Sequence, residues 1–145
     1  MILVLETPAA QSHLAVTTEG EVTRARKTAE KMHLNHLHLH VGNLDHAKRF
    51  YESYFGFREH MRHADILFLR NTSGFELALR PERKPSSFPE WFHFGFRLAS
   101  PRAVRKLHRR LSAEGVRVCD VEDYENYVTF RCKDPDGYNI EIYWC

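Results

Sequence analysis

The chain has 145 residues, of which 43% are hydrophobic and 28% are charged, a composition that excludes a disordered or fibrous protein. The 21 basic and 19 acidic side chains leave a net charge of +2, which gives no reason to expect nucleic acid or a membrane surface as a partner. No apolar run approaches the roughly 20 residues that a membrane span needs. The unusual count is ten histidines, which raises the question of metal or proton chemistry.

Cysteine usage and the first residues bear on the cellular compartment. The sequence contains three cysteines, Cys119, Cys132 and Cys145. They form neither a CxxC pair nor an even framework, which favours free thiols in the reducing cytoplasm. The short apolar run at 2–5 has no basic segment before it and does not resemble a signal peptide. We therefore expect a cytoplasmic protein with an N-terminal extension over 1–32 and a domain over 33–145.

The first predicted elements are a strand, a helix and three further strands. Residues 33–41 alternate apolar and polar side chains, the period of a half-buried strand. Apolar side chains at helical spacing over 44–54 predict a helix, which Asn43 or Asp45 would cap and Gly56 would end. Three short strand-like runs follow, at 57–62, 65–70 and 74–80.

The same order of elements then begins again. Residues 91–98 predict a strand. Ser100 is a typical N-cap, Pro101 suits the first helical position, and Gly115 ends the apolar helical stripe. Three more strands are predicted, at 116–121, 126–132 and 138–144.

This repetition predicts the fold class. The domain divides into one βαβββ unit over 33–80, a proline-rich linker over 81–90, and a second βαβββ unit over 91–145. Strands and helices in this order predict an α+β fold built from two tandem βαβββ units.

Each predicted unit carries one histidine on its first strand and one glutamate on its last. The four residues are His36, Glu76, His93 and Glu141. If pseudo-symmetry relates the units, these side chains face one another. Two imidazoles and one or two carboxylates suit a divalent Fe, Zn, Ni, Mn or Co ion, and open coordination positions would accept water or substrate.

Three sequence motifs resemble the vicinal oxygen chelate superfamily. They are LNHLHLHVGNLDHAKRFYESYFGF, the second start FHFGF, and the ending DPDGYNIEIYW. The superfamily includes glyoxalase I, fosfomycin-resistance thiol transferases, extradiol dioxygenases and metal-free bleomycin-binding proteins. The resemblance covers 33–145 and implies that paired βαβββ units curl into a half-open barrel around the metal. A second chain often completes such barrels, so the resemblance also implies a homodimer.

The resemblance assigns roles residue by residue. His36, His93 and Glu141 match the usual metal-ligand positions, and Glu76 matches the fourth ligand of glyoxalase I. Glu141 would also move a proton in catalysis, with His40 or Tyr127 as further candidates for proton transfer. The residues expected to line the substrate cavity are His38, His40, Arg131 and Tyr143. The two histidines in this set share a strand face with the first ligand by the period of two.

Three departures from the family motifs bear on the substrate. The arginine that follows the first histidine by four residues in glyoxalase I is His40 here, which puts a glutathione adduct in doubt. The tyrosine that stands ten residues before the final glutamate in dioxygenases and fosfomycin transferases is Arg131 here. Fosfomycin enzymes also carry an arginine beyond the final strand, where this sequence stops at Cys145, so fosfomycin is the least favoured substrate.

We therefore expect a divalent-metal-dependent enzyme that acts on a small molecule with two neighbouring oxygens. It would be either a glyoxalase-like lyase or isomerase, or an oxidoreductase of the extradiol dioxygenase type. The alternative is a metal-free protein of the bleomycin-resistance type that binds a drug or metabolite in an aromatic cleft. The presence of His36, His93 and Glu141 argues against that alternative, because a protein that binds no metal could have neutral residues at these positions.

Overall fold

A computed structural model describes residues 31–145 of the chain. The predicted extension over 1–32 therefore lies almost wholly outside the described residues. The helices and strands belong to one compact unit, Asn35–Cys145. The first module consists of β1 His36–Val41, α1 Leu44–Tyr54, β2 Arg58–His63, β3 Ile66–Arg70 and β4 Glu76–Pro81. The second module consists of β5 Phe94–Arg97, α2 Pro101–Ala113, β6 Val118–Asp123, β7 Val128–Lys133 and β8 Asn139–Trp144.

Each module forms a four-stranded mixed sheet. The strand order is β1-β4-β3-β2 in the first sheet and β5-β8-β7-β6 in the second. The first and last strands of each module pair in parallel, and the remaining pairs are antiparallel. The predicted α+β fold of two tandem βαβββ units is confirmed.

The helix boundaries follow from local sequence. The side chain of Asn43 caps α1, and the side chain of Ser100 caps α2, with Pro101 at its first position. After the two helices, Gly56 and Gly115 adopt φ angles of +69° and +80°, a region that side chains disfavour. These four signals confirm the predicted beginnings and ends of both helices.

Alternation along the strands gives each sheet one apolar and one polar face. In β1, Leu39 and Val41 are buried while His36 lies on the opposite, exposed face. In β8, Ile140 and Ile142 are fully buried, and burial of each such side chain contributes about 1.5–3 kcal/mol. The apolar faces form the core with the helices, so the candidate metal-binding side chains lie on the polar faces.

Buried polar contacts join the two modules. The Tyr51 hydroxyl on α1 donates to Oδ2 of Asp134 at 2.8 Å, and the Tyr138 hydroxyl donates to the carbonyl of His40 at 2.7 Å. Burial raises the pKa of Asp134 although three hydrogen bonds stabilise its charged form. Removing any one of these donors would therefore leave a buried carboxylate short of a partner.

The strand that opens the second module differs most from its prediction. The strand expected over 91–98 is confined to Phe94–Arg97, because the preceding residues form a turn in which the N–H of Phe92 donates to the carbonyl of Pro89. His93 therefore lies between this turn and the strand rather than within the sheet. Within the described residues, no helix is long and apolar enough to cross a membrane.

Candidate metal centre

His93 and Glu141 form a pair on the polar face of the second sheet. The Nε2 atom of His93 lies 3.3 Å from Oε2 of Glu141. The Nδ1 atom of the same ring lies 3.1 Å from the carbonyl oxygen of Trp91. A carbonyl oxygen only accepts hydrogen bonds, so Nδ1 donates to Trp91, while Nε2 faces the carboxylate of Glu141. Histidines that ligate metals are oriented in this way by a backbone carbonyl.

Two hydroxyl groups lie near the Glu141 carboxylate. The Tyr127 hydroxyl lies 3.4 Å and the Thr129 hydroxyl 3.3 Å from Oε1 of Glu141, and the Thr129 hydroxyl also lies 3.1 Å from the carbonyl oxygen of Ile142. Burial is the main reason that the pKa of Tyr127 is raised, so the phenol keeps its proton at neutral pH and donates it. These contacts occupy Oε1 and leave Oε2 facing the imidazole of His93.

The residues beside Glu141 leave space and add positive charge. Gly95 is its register partner on β5, and a Cβ there would lie 3.5 Å from Oε2 of Glu141 and 3.4 Å from the ring of Tyr143. Arg131 is its partner on β7, so the arginine lies on the same face as the carboxylate, and its Nη1 lies 3.5 Å from Oδ2 of Asp120. The structure thus brings the predicted cavity residues Arg131 and Tyr143 next to Glu141.

The equivalent pair in the first sheet has different neighbours. His36 and Glu76 are register partners on the parallel strands β1 and β4. His36 Nδ1 lies 3.0 Å from Oδ1 of Asn35. Glu76 accepts two hydrogen bonds on Oε1, at 2.6 and 3.0 Å, both from the guanidinium of Arg70. An arginine therefore already neutralises this carboxylate, in contrast to Glu141.

His38 and His40 share the exposed face of β1 with His36. Their ring centroids are 5.4 Å apart, and Nδ1 of His40 is hydrogen-bonded to Glu82. Burial, followed by the charge of His40, lowers the pKa of His38. The neutral form of His38 is thus favoured, which suits a residue that lines a cavity.

Sequence reasoning missed three contributors to these contacts. They are Arg70, Gly95 and Thr129. The period of two on β7 would have placed Thr129 on the face of Arg131, and pairing across the turn between β3 and β4 would have placed Arg70 beside Glu76.

The four candidate ligands do not meet within one chain. Among residues 31–145, no three His, Cys, Asp or Glu side chains come together in a group that could hold a metal. Two clefts of the described chain are lined by other residues. Each sheet therefore carries a two-residue group on an open face, which we call a half-site: His36 and Glu76 in the first sheet, His93 and Glu141 in the second.

Two tandem βαβββ modules are the architecture of a known class of protein. The family model of the glyoxalase/bleomycin resistance protein/dioxygenase superfamily matches residues 33–142. The chain belongs to this superfamily. Its members commonly bind small molecules and are often dimeric.

Individual relatives agree with this membership. An uncharacterized protein of Pseudomonas aeruginosa is 33% identical over 120 residues, covering 75% of this chain and 86% of that protein. A solved structure described as a possible glyoxalase from Bacillus cereus is 31% identical, with a TM-score of 0.68, covering 77% of this chain and 98% of its own. The fosfomycin resistance protein FosX from Listeria monocytogenes has a TM-score of 0.70 over 80% of this chain and 95% of its own. At 18% identity, this last similarity shows the fold alone.

Proposed function

We propose that the chain is a divalent-metal-dependent enzyme that acts on a small molecule with two neighbouring oxygen atoms. The observation that supports this function best is the orientation of the His93 ring. Its Nδ1 is hydrogen-bonded to a backbone carbonyl, and its Nε2 faces Glu141. Nitrogen and carboxylate donors of this kind suit Zn, Ni, Fe, Mn or Co. A bound metal ion would polarise the two substrate oxygens as a Lewis acid.

The residues around Glu141 are suited to moving a proton. Glu141 would accept a proton from the substrate, while the hydroxyl of Tyr127 holds the carboxylate in place through Oε1. Arg131, on the same face, would stabilise negative charge that develops on the substrate. Tyr127 is also the nearest candidate for returning a proton, since its hydroxyl already contacts the carboxylate.

We infer that a second copy of the chain completes the site. The two half-sites lie on separate sheets, and no group of three candidate ligands forms within the described part of one chain. An isologous dimer would place the first sheet of each copy against the second sheet of its partner. Two equivalent sites would result, each with His36 and Glu76 from one chain and His93 and Glu141 from the other.

Complementation between two inactive variants tests the shared site. In a mixed dimer of His36→Ala and His93→Ala chains, one site combines two intact half-sites and the other combines two damaged ones. If exchange is random, mixing should restore about a quarter of the wild-type metal sites. Each variant alone should bind no stoichiometric metal, and no recovery after denaturation and joint refolding would contradict the shared site.

The reaction type is tested with two assays. After anaerobic loading with iron and addition of oxygenated buffer, a catechol should react with O₂ to give a coloured ring-opened product if the enzyme is of the dioxygenase type. A hemithioacetal should be turned over with nickel or zinc if the enzyme is glyoxalase-like. Failure of both assays with protein shown to hold stoichiometric metal would count against both reaction types.

A metal-free binding protein is the second candidate, and one contact favours it. The Arg70–Glu76 ion pair satisfies a candidate ligand without any metal. Elemental analysis of protein purified without a histidine tag separates the two candidates. Stoichiometric metal that disappears in His36→Ala supports the enzyme, whereas absence of metal in both proteins supports the binding protein.

A further inference from the structure

A cleft lies between the two modules and shares no residue with either half-site. Its volume is about 450 Å³, within the range of about 300–1,000 Å³ that is usual for small-ligand sites. Helix α1 supplies one wall, and the segments that follow α2 and β7 supply the other. The residues that matter to the argument are Arg49, Phe50, Tyr54, Val116, Arg117 and Lys133.

Positive charge dominates this cleft. Arg49 and Arg117 are exposed, and neither forms an ion pair with any residue in 31–145. Lys133 contacts Glu90 at 3.1 Å, a surface pair of little strength because the glutamate is almost fully exposed. The lining also includes Asp134, whose oxygens already accept hydrogen bonds from a buried tyrosine hydroxyl and two backbone N–H groups. Within residues 31–145, the two guanidinium groups therefore form no ion pair of their own.

Contacts between the modules hold one wall in place. The Tyr54 hydroxyl donates to Glu114 at 2.6 Å, and the guanidinium of Arg110 lies 4.9 Å from the centre of the Tyr54 ring. Arg110 also donates to the backbone carbonyl of Ser53 at 3.0 Å. A wall fixed in this way loses little conformational entropy when a ligand binds.

We propose that the cleft binds a small organic anion. Its carboxylate, sulfonate or phosphate group lies between Arg49 and Arg117, since guanidinium groups bind such oxygens by charge-assisted hydrogen bonds. Its apolar body packs against the rings of Phe50 and Tyr54 and the side chain of Val116. The site is separate from the proposed metal centre and does not depend on it.

A fluorescence titration with anilinonaphthalene sulfonate tests this site, because the probe joins one sulfonate to an apolar ring system. We expect saturable binding of one probe per chain, with displacement by benzoate. Arg49→Gln and Arg117→Gln should each raise Kd about tenfold, through loss of a charge-assisted hydrogen bond. Arg102→Gln is the matched control, since Arg102 is exposed, lies outside the cleft and forms no ion pair within 31–145.

Any of three results would overturn the proposal. The first is the absence of saturable binding by the wild-type protein, and the second is an equal Kd for all three arginine variants. The His93→Ala variant identifies where the probe binds. If the probe binds at the cleft, its Kd for this variant equals its Kd for the wild-type protein. A loss of binding in His93→Ala would place the probe at the metal half-site and would likewise overturn the proposal. Circular dichroism confirms that each variant is folded.

Discussion

The two modules carry the same His–Glu pair on the same topology, but with different neighbours. In the second sheet, His93 lies 3.3 Å from Glu141, whose other oxygen is near two hydroxyl groups. In the first sheet, the guanidinium of Arg70 binds Glu76. The topology thus determines where the two carboxylates lie, and the neighbouring side chains determine how free each carboxylate is to bind a metal ion.

This difference ranks the two candidate carboxylate ligands. The hydroxyl groups near the Glu141 carboxylate do not cancel its charge, whereas an arginine offsets the charge of Glu76. A metal at Glu76 would have to compete with that ion pair. We therefore expect Glu141 to contribute more to metal affinity than Glu76.

The largest expected effect is the loss of the half-site in the second sheet. His93→Ala and Glu141→Gln should each weaken metal binding by about a hundredfold or more, since even indirect supports of ligands are worth about 10–100-fold. Isothermal titration with zinc or nickel measures the effect. His60→Ala, a change at an exposed histidine on β2, is the control and should bind as the wild type does. Unchanged affinity in both site variants would remove the basis for the proposed centre.

The comparison also depends on the contact that holds the modules together. Tyr51→Phe should lower the free energy of unfolding by about 1–3 kcal/mol, because it leaves the buried carboxylate of Asp134 without one donor. Tyr54→Phe removes a hydroxyl of the same helix whose partner, Glu114, is exposed, so the loss should be smaller. Urea denaturation measures both variants. Equal losses would show that the buried contact has no special role.

Substitution of Glu76 is expected to weaken metal binding less than substitution of Glu141 does. Glu76→Gln should reduce metal affinity by about tenfold or less, and Arg70→Gln should increase it by releasing the carboxylate. Competition with a metal chelator measures both changes. If Glu76→Gln is as damaging as Glu141→Gln, the ranking of the two carboxylates is wrong.

Local signals made the elements predictable from the sequence. The caps Asn43 and Ser100 and the two glycines after the helices act within a few residues of their position. The repetition of βαβββ then predicted the paired sheets, and the motifs of the resemblance indicated the four candidate ligands. Each of these inferences uses short-range patterns or matched positions.

Contacts between distant residues account for what the sequence did not show. Tyr51 and Asp134 are 83 residues apart, and no periodicity links them. The contact of His93 with Glu141 joins residues 48 positions apart, and the turn before β5 rather than the strand positions His93. Tertiary packing determines side-chain partners of this kind, and the pattern of residue types along the sequence does not reveal it.

The smallest expected effect is a pH dependence that comes from the contact between the modules. Burial raises the pKa of Asp134 above its ordinary value of 3.8, so the folded protein holds this proton more tightly than the unfolded chain. The contribution of the protonated Asp134 carboxyl to the free energy of unfolding is therefore complete below pH 3.8, and it declines as the pH rises through the folded-state pKa. The Asp134→Asn variant has no carboxyl to titrate at this position. The difference between its free energy of unfolding and that of the wild type should therefore become smaller as the pH rises over that range.

Urea denaturation at a series of pH values measures this narrowing, with Asp120→Asn as the control for loss of an exposed carboxylate. Asp134 belongs to neither half-site, so the slope reports the contact between the modules independently of metal binding. Wild-type and Asp134→Asn stabilities that run parallel above pH 3.8 would show that burial at the contact does not perturb this carboxyl. The buried contact would then have to be explained by packing between α1 and the second module, with hydrogen bonding in a minor part.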